Sequence, residues 1–132
     1  MFEKIVQDIY EVFASSVWVN TGIKAVPRSF QGTLTENKYV LISIIPGKTK
    51  PSSTQHQKCI SGLLIVSIYV PTTKGDVELF NVANTLDGIF QRKVLTQGTM
   101  MDLGSLKPIG IDKDNSALYT GDYYISFNLY GE

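Results

Sequence analysis

A chain of 132 residues, 43% hydrophobic and 18% charged, has the apolar material for one ordinary core and is not disordered. That length leaves little room for a second domain, so residues 1–132 read as a single α+β domain. Twelve basic residues balance twelve acidic ones, which argues against tight binding of DNA or RNA, and one cysteine excludes an internal disulfide framework.

Phe2, Ile5, Val6, Ile9, Val12 and Phe13 recur at the spacing of one helical face, and Glu3, Lys4, Gln7, Asp8 and Glu11 fill the other. The spacing predicts a helix over residues 2–16, ended by the turn residues Asn20-Thr21-Gly22. Charges spread through this start rule out the basic end and unbroken apolar core of a secretory signal. No stretch approaches the roughly 18 apolar residues of a membrane span, so we expect a soluble protein made inside a cell, with no membrane partner.

Val26 to Phe30 reads as a short extended segment, with Pro27 favouring an edge position or a strand entrance. Residues 32–37 read as a loop. Tyr39 to Ile45 is a β run that Pro46-Gly47 is expected to stop. Lys48 to Lys58 is wholly polar and follows neither hydrophobic period, so it is a flexible loop or the tip of a long hairpin, a basic arm. Cys59 to Val70 is the longest predicted strand. Leu64, Val66, Ile68 and Val70 form an aliphatic face that should meet the helices. Ser61, Leu63, Ile65, Ser67 and Tyr69 form a mixed face suited to a neighbour or a lumen.

Pro71 to Asp76 reads as a helix entrance, with Thr73 and Asp76 as a variant capping box and Asp76 and Glu78 at the positive end of the dipole. Leu79, Val82, Ala83, Leu86, Ile89 and Phe90 mark the second amphipathic helix, with Arg92 and Lys93 at its C-terminal end. Met100 to Ile111 is a weaker strand broken by Gly104 and Pro108, residues 112–116 are a turn, and Asp122 to Tyr130 alternates as a half-buried antiparallel strand. The predicted order is α-β-β-β-α-β-β: a mostly antiparallel sheet, two helices on one face and a polar hairpin arm.

Catalytic chemistry finds no foothold. Cys59 beside an aliphatic run reads as a buried, inert thiol, and His56 in a polar loop is poorly placed to act as its base. CxxC and HExxH spacings are absent. Asp112, Asp114 and Asn115 open like a calcium loop, but Ala117 stands where that loop needs glycine, so a plain turn is the reading. Gly98 and Gly104 form no phosphate cradle. No catalytic, cofactor-binding or metal residue is assigned, no cofactor is expected, and the chain is read as a non-enzyme. Tyr69, Tyr119, Tyr123, Tyr124 and Tyr130 gather in or near the predicted strands, without the interleaved Arg and Lys that base stacking uses; core packing or protein contact is the reading. Residues 1–66 hold seven Lys and Arg against four Asp and Glu, and residues 67–132 hold five against eight. Such polarity suits subunits or layers stacking head to tail, and equally two solvated halves.

The run VPRSF, then YVLISIIPGKTK into the polar arm, then CISGLLIVSIYVPTTKGDVELFNVANTLDGIF and the closing GDYYISFNLYG resembles the tail terminator (tail-completion) proteins of long-tailed bacteriophages. Gly62, Val66, Ile68, Pro71, Gly75, Ala83, Leu86, Ile89 and Phe90 carry that resemblance, which spans nearly the whole chain as framework positions. It implies a structural virion protein forming a ring, usually of six copies, on the head-proximal end of the tail tube. Such a homohexamer ends tube polymerisation and offers a head-joining surface. Implied partners are other copies of the chain, the major tail tube protein and a head-completion or neck protein, with phage DNA passing through the lumen without specific binding. Implied location is the virion tail, after assembly in the host cytoplasm. The nearest alternatives are another head–tail connector, neck or tail-tube subunit, then a generic α+β interaction module. Lys48, Lys50, Gln55, His56, Gln57, Lys58, Tyr69, Tyr124 and Tyr130 are the expected subunit or tube contacts.

Overall fold

The computed structural model describes residues 2–28, 38–51, 58–73, 75–113 and 115–131. Their elements run α1 (Phe2–Ala14), α2 (Ser16–Val19), β1 (Lys24–Pro27), β2 (Tyr39–Pro51), β3 (Lys58–Pro71), α3 (Gly75–Phe90), β4 (Met100–Ile111) and β5 (Leu118–Gly131). The five strands form one sheet in the order β1-β2-β3-β5-β4. β1 joins β2 in parallel, and every other neighbouring pair is antiparallel. The expected α+β fold and its element order hold, with α2 as a one-turn addition where a single helix to residue 16 was expected.

β3 is the central strand, and its even residues decide the layering. Leu64, Val66, Ile68 and Val70 are fully buried, as their alternation requires, and Ile42, Tyr123, Ile125 and Phe127 share that face through the register. α3 crosses β3, β5 and β4 on this face through Leu79, Val82, Ala83, Leu86 and Phe90. α1 adds Ile5, Ile9 and Phe13 to the same core, and the Phe13 ring meets those of Trp18 and Phe90 at centroid distances of 5.0 and 5.4 Å.

Asp8 corrects the sequence reading most sharply. Expected on the polar side of α1, it is only 1% exposed. Its carboxylate accepts the backbone N–H groups of Gln97 at 2.8 Å and Thr99 at 3.2 Å. These contacts tie α1 to the turn between α3 and β4; Gln7 and Glu11 add exposed hydrogen bonds to Gln97 and Thr96.

Other boundaries shift for local reasons. Pro46-Gly47 does not stop β2, because a register shift between Pro46 and Thr49 absorbs the irregularity and pairing continues to Pro51↔Lys58. β4 likewise continues past Gly104 and Pro108 through two register shifts, between Met101 and Gly104 and between Pro108 and Gly110. Gly104 is obligatory for a packing reason: a Cβ there would strike the Tyr123 ring, whose hydroxyl hydrogen-bonds the Asp87 carboxylate of α3. Arg92 and Lys93 follow α3, and Arg92 takes the left-handed conformation (φ 56°) that ends it. Asp76 and Glu78 do occupy the first turn. Cys59 is half-buried, not buried, because its odd position points it away from the helices toward Asn128.

Removing the Asp8 carboxylate leaves the buried Thr99 N–H and the part-buried Gln97 N–H without their acceptor. Asp8→Ala should cost about 2–3 kcal/mol in urea unfolding, the range for charge-assisted hydrogen bonds. Burial, and then the Asp87 carboxylate, push the Tyr123 hydroxyl well above the ordinary tyrosine range. A raised folded-state value means the protonated ring stabilises the fold below pH about 10, and the unfolded chain gains by ionising above it. Between pH 9 and 11.5, wild-type stability should therefore fall more steeply than that of Tyr123→Phe; parallel curves would contradict this.

Candidate assembly surface

Period two gives the sheet a second face, and no described helix covers it. The odd residues of β3 lie there, with Tyr39, Leu41, Ser43 and Ile45 from β2 and Asp122, Tyr124, Ser126, Asn128 and Tyr130 from β5, as the register pairs them. Leu41, Leu63, Ile65 and Tyr124 are half-buried, while Ile45 and Tyr130 stand about half exposed at 49% and 52%. Large side chains on an uncovered sheet face are typical of surfaces that bind protein.

A polar row crosses this face. β1 ends beside β2, so Arg28 emerges over the neighbouring strands. Its Nε donates to Ser43 Oγ at 2.7 Å, and Nη2 donates to Ser67 Oγ. Ser67 pairs in register with Asp122, and Asp122 with Lys107. Asp122 accepts a hydrogen bond from the Tyr124 hydroxyl at 3.2 Å. Partial burial, and then the Asp122 charge, raise the Tyr124 hydroxyl above its ordinary value. At the far end of the strands Tyr39 and Tyr69 stack, with centroids 4.8 Å apart and planes 15° from parallel.

The expected contact residues divide. Tyr69, Tyr124 and Tyr130 all lie on the uncovered face, whereas Tyr123 is core and Tyr119 hydrogen-bonds Asp76 of α3. Lys48, Lys50 and Lys58 lie in the distal hairpin, and Lys50↔Cys59↔Tyr130 brings Tyr130 to that end. Tyr69 sits at the opposite end, about 33 Å away at the rise of a strand. Gln55, His56 and Gln57 lie outside the described residues. Arg28, Ser43 and Tyr39 were not anticipated. The mixed alternation of β3 marked the face, but no sequence signal places β1 parallel to β2 with Arg28 over Ser67.

Among the described residues, no helix is long and apolar enough to cross a membrane, and no group of three His, Cys, Asp or Glu is placed to hold a metal. The chain matches no family model and no curated protein. Solved structures do share its fold. One chain, known only by a sequence label, aligns at TM-score 0.65 and 15% identity over 97% of this chain and 94% of its own length. A chain from the virion of a native gene transfer agent particle aligns at TM-score 0.65 and 12% identity, over 95% and 93%.

The stacked pair offers a direct check on this face. A double-mutant cycle with Tyr39→Ala and Tyr69→Ala should give a coupling of about 0.5–1.5 kcal/mol in urea unfolding. Additive effects would mean the rings do not stack in solution.

Proposed function

We propose that this chain is a structural subunit of a phage-like virion and, more finely, a tail terminator. Copies close into a ring, six in the simplest form, on the head-proximal end of the tail tube. The ring ends tube growth and presents a joining surface to a head-completion or neck protein, and DNA passes through its lumen unbound. The role is non-catalytic and needs no cofactor.

The carrying observation is a whole-chain fold likeness to a protein of a gene transfer agent virion, joined to a sheet face that bears large side chains and no described helix. The terminator role itself draws on the framework residues from Gly62 to Phe90. A closed ring requires two different, complementary surfaces on each subunit. The uncovered face and the basic hairpin end, with Lys48, Lys50 and Lys58, supply candidates for the subunit and tube contacts. Zero net charge suits a lumen that must release DNA.

Negative-stain imaging of the protein, alone and with tubes of the cognate tail tube protein, tests the role. Rings, or caps on one tube end that stop further growth, are expected. Folded monomers that leave tube growth unchanged would overturn the terminator reading and favour another tail or neck subunit. Replacing residues 52–57 by a two-residue Asn-Gly turn should leave a folded chain that no longer caps tubes. Full capping by this variant would remove the arm from the interface.

A further inference from the structure

Arg28 holds an unusual position for a surface cation. Both of its side-chain hydrogen bonds run to serine hydroxyls, and no acidic side chain pairs with it among the described residues. Ser67, which receives Nη2, is only 2% exposed. A guanidinium held by neutral hydroxyls keeps its whole charge, and with its rotamer already fixed it loses little entropy on meeting a carboxylate.

Arg28 also stands at an open groove of about 610 Å³, where β1 ends and β2 runs on without a described neighbour. Val6 and Tyr10 of α1 form one wall, and Ile45 and Ile65 of the uncovered face form another. Asp122 also lines it, its carboxylate engaged by the Tyr124 hydroxyl. The groove therefore offers apolar walls around the Arg28 guanidinium, with the Asp122 carboxylate as a second charge in its lining.

The opposite edge of the sheet has the matching character. On β4, Leu103, Ile109 and Ile111 are each at least half exposed. Beside them Asp102 is exposed, and among the described residues its carboxylate accepts only the N–H of Leu103, at Oδ1. Charge is unevenly spread along the same axis, with Arg92 and Lys93 standing beside Met101 and Asp102 through backbone hydrogen bonds. The segments 24–28, 38–51 and 58–71 carry Lys24, Arg28, Lys38, Lys48, Lys50 and Lys58 and no acid. The segments 75–90, 100–113 and 118–131 carry Asp76, Glu78, Asp87, Asp102, Asp112 and Asp122 against Lys107 and Lys113. Pro108 and the shift before Gly110 make β4 a poor template for backbone pairing, so the contact is one of side chains.

We infer that the groove at the β1–β2 edge receives the β4 edge of a second copy, whose Asp102 binds the Arg28 guanidinium while Leu103 enters the apolar walls. The contact is heterologous, the kind that closes a ring when its rotation divides a full turn; that it closes here rests on the ring reading above. A fixed arginine at an apolar interface is the kind of residue that dominates binding.

Charge exchange tests it, read by sedimentation velocity and by capping of tubes, with circular dichroism as the check on folding. Asp102→Arg and Arg28→Glu should each raise the half-assembly concentration at least about tenfold, and the double variant should return most of that loss. Asp102→Arg lies on an exposed edge, so it reports on assembly even if Arg28→Glu disturbs the sheet. If wild-type rings or caps form and Asp102→Arg assembles equally well, the inference fails and the ring reading stands. A double variant no better than the singles also overturns it. A wild-type chain that never assembles, even on tubes, overturns both.

Discussion

The central strand β3 constrains everything else. It pairs along its length with β2 on one side and β5 on the other, and its alternation splits the molecule into two sides of different chemistry. Leu64, Val66, Ile68 and Val70 can be dry only if helices cover them, which recruits α3 and α1 to one face. Ser61, Leu63, Ile65, Ser67 and Tyr69 must then point the other way. A shift of one residue in register would exchange the two sets, so core and exposed surface are specified together.

The helical layer is held by a few polar contacts as well as by apolar burial. Asp8 fixes α1 to the turn before β4, and Asp87 with Tyr123 fixes α3 to β5. Gly104 leaves the space that the Tyr123 ring occupies. These groups make the helix-covered side a closed unit. The other side keeps Arg28, Asp122 and four tyrosines in partly exposed positions, where a partner can use them.

How much was legible in advance follows from the range of each interaction. β3, α3 and β5 were readable because their periodicity is local and long. The amphipathic face of α1 was readable too, but Asp8 was assigned to solvent, since only tertiary structure brings two N–H groups of the 95–99 turn to that helix. Pro46-Gly47, Gly104 and Pro108 look like breaks in a sequence, yet pairing with one neighbouring strand, β3 or β5, resumes beyond each irregularity. Tyr69, Tyr124 and Tyr130 were placed among contact residues and do share one face, though they span the whole sheet and form no single cluster. Arg28 was invisible because its meaning depends on β1 lying parallel to β2, a pairing with no local signature.

Under the proposed function, the uncovered sheet face is where this protein meets others. Hydroxyl-radical footprinting of the free chain and of the chain in the proposed assembly on tail tubes measures that directly. Tyr39, Leu63, Ile65 and Tyr124 should lose reactivity on assembly, while Val77 and Phe80 on the outer surface of α3 keep theirs. Protection confined to α3, with the sheet face unchanged, would contradict it.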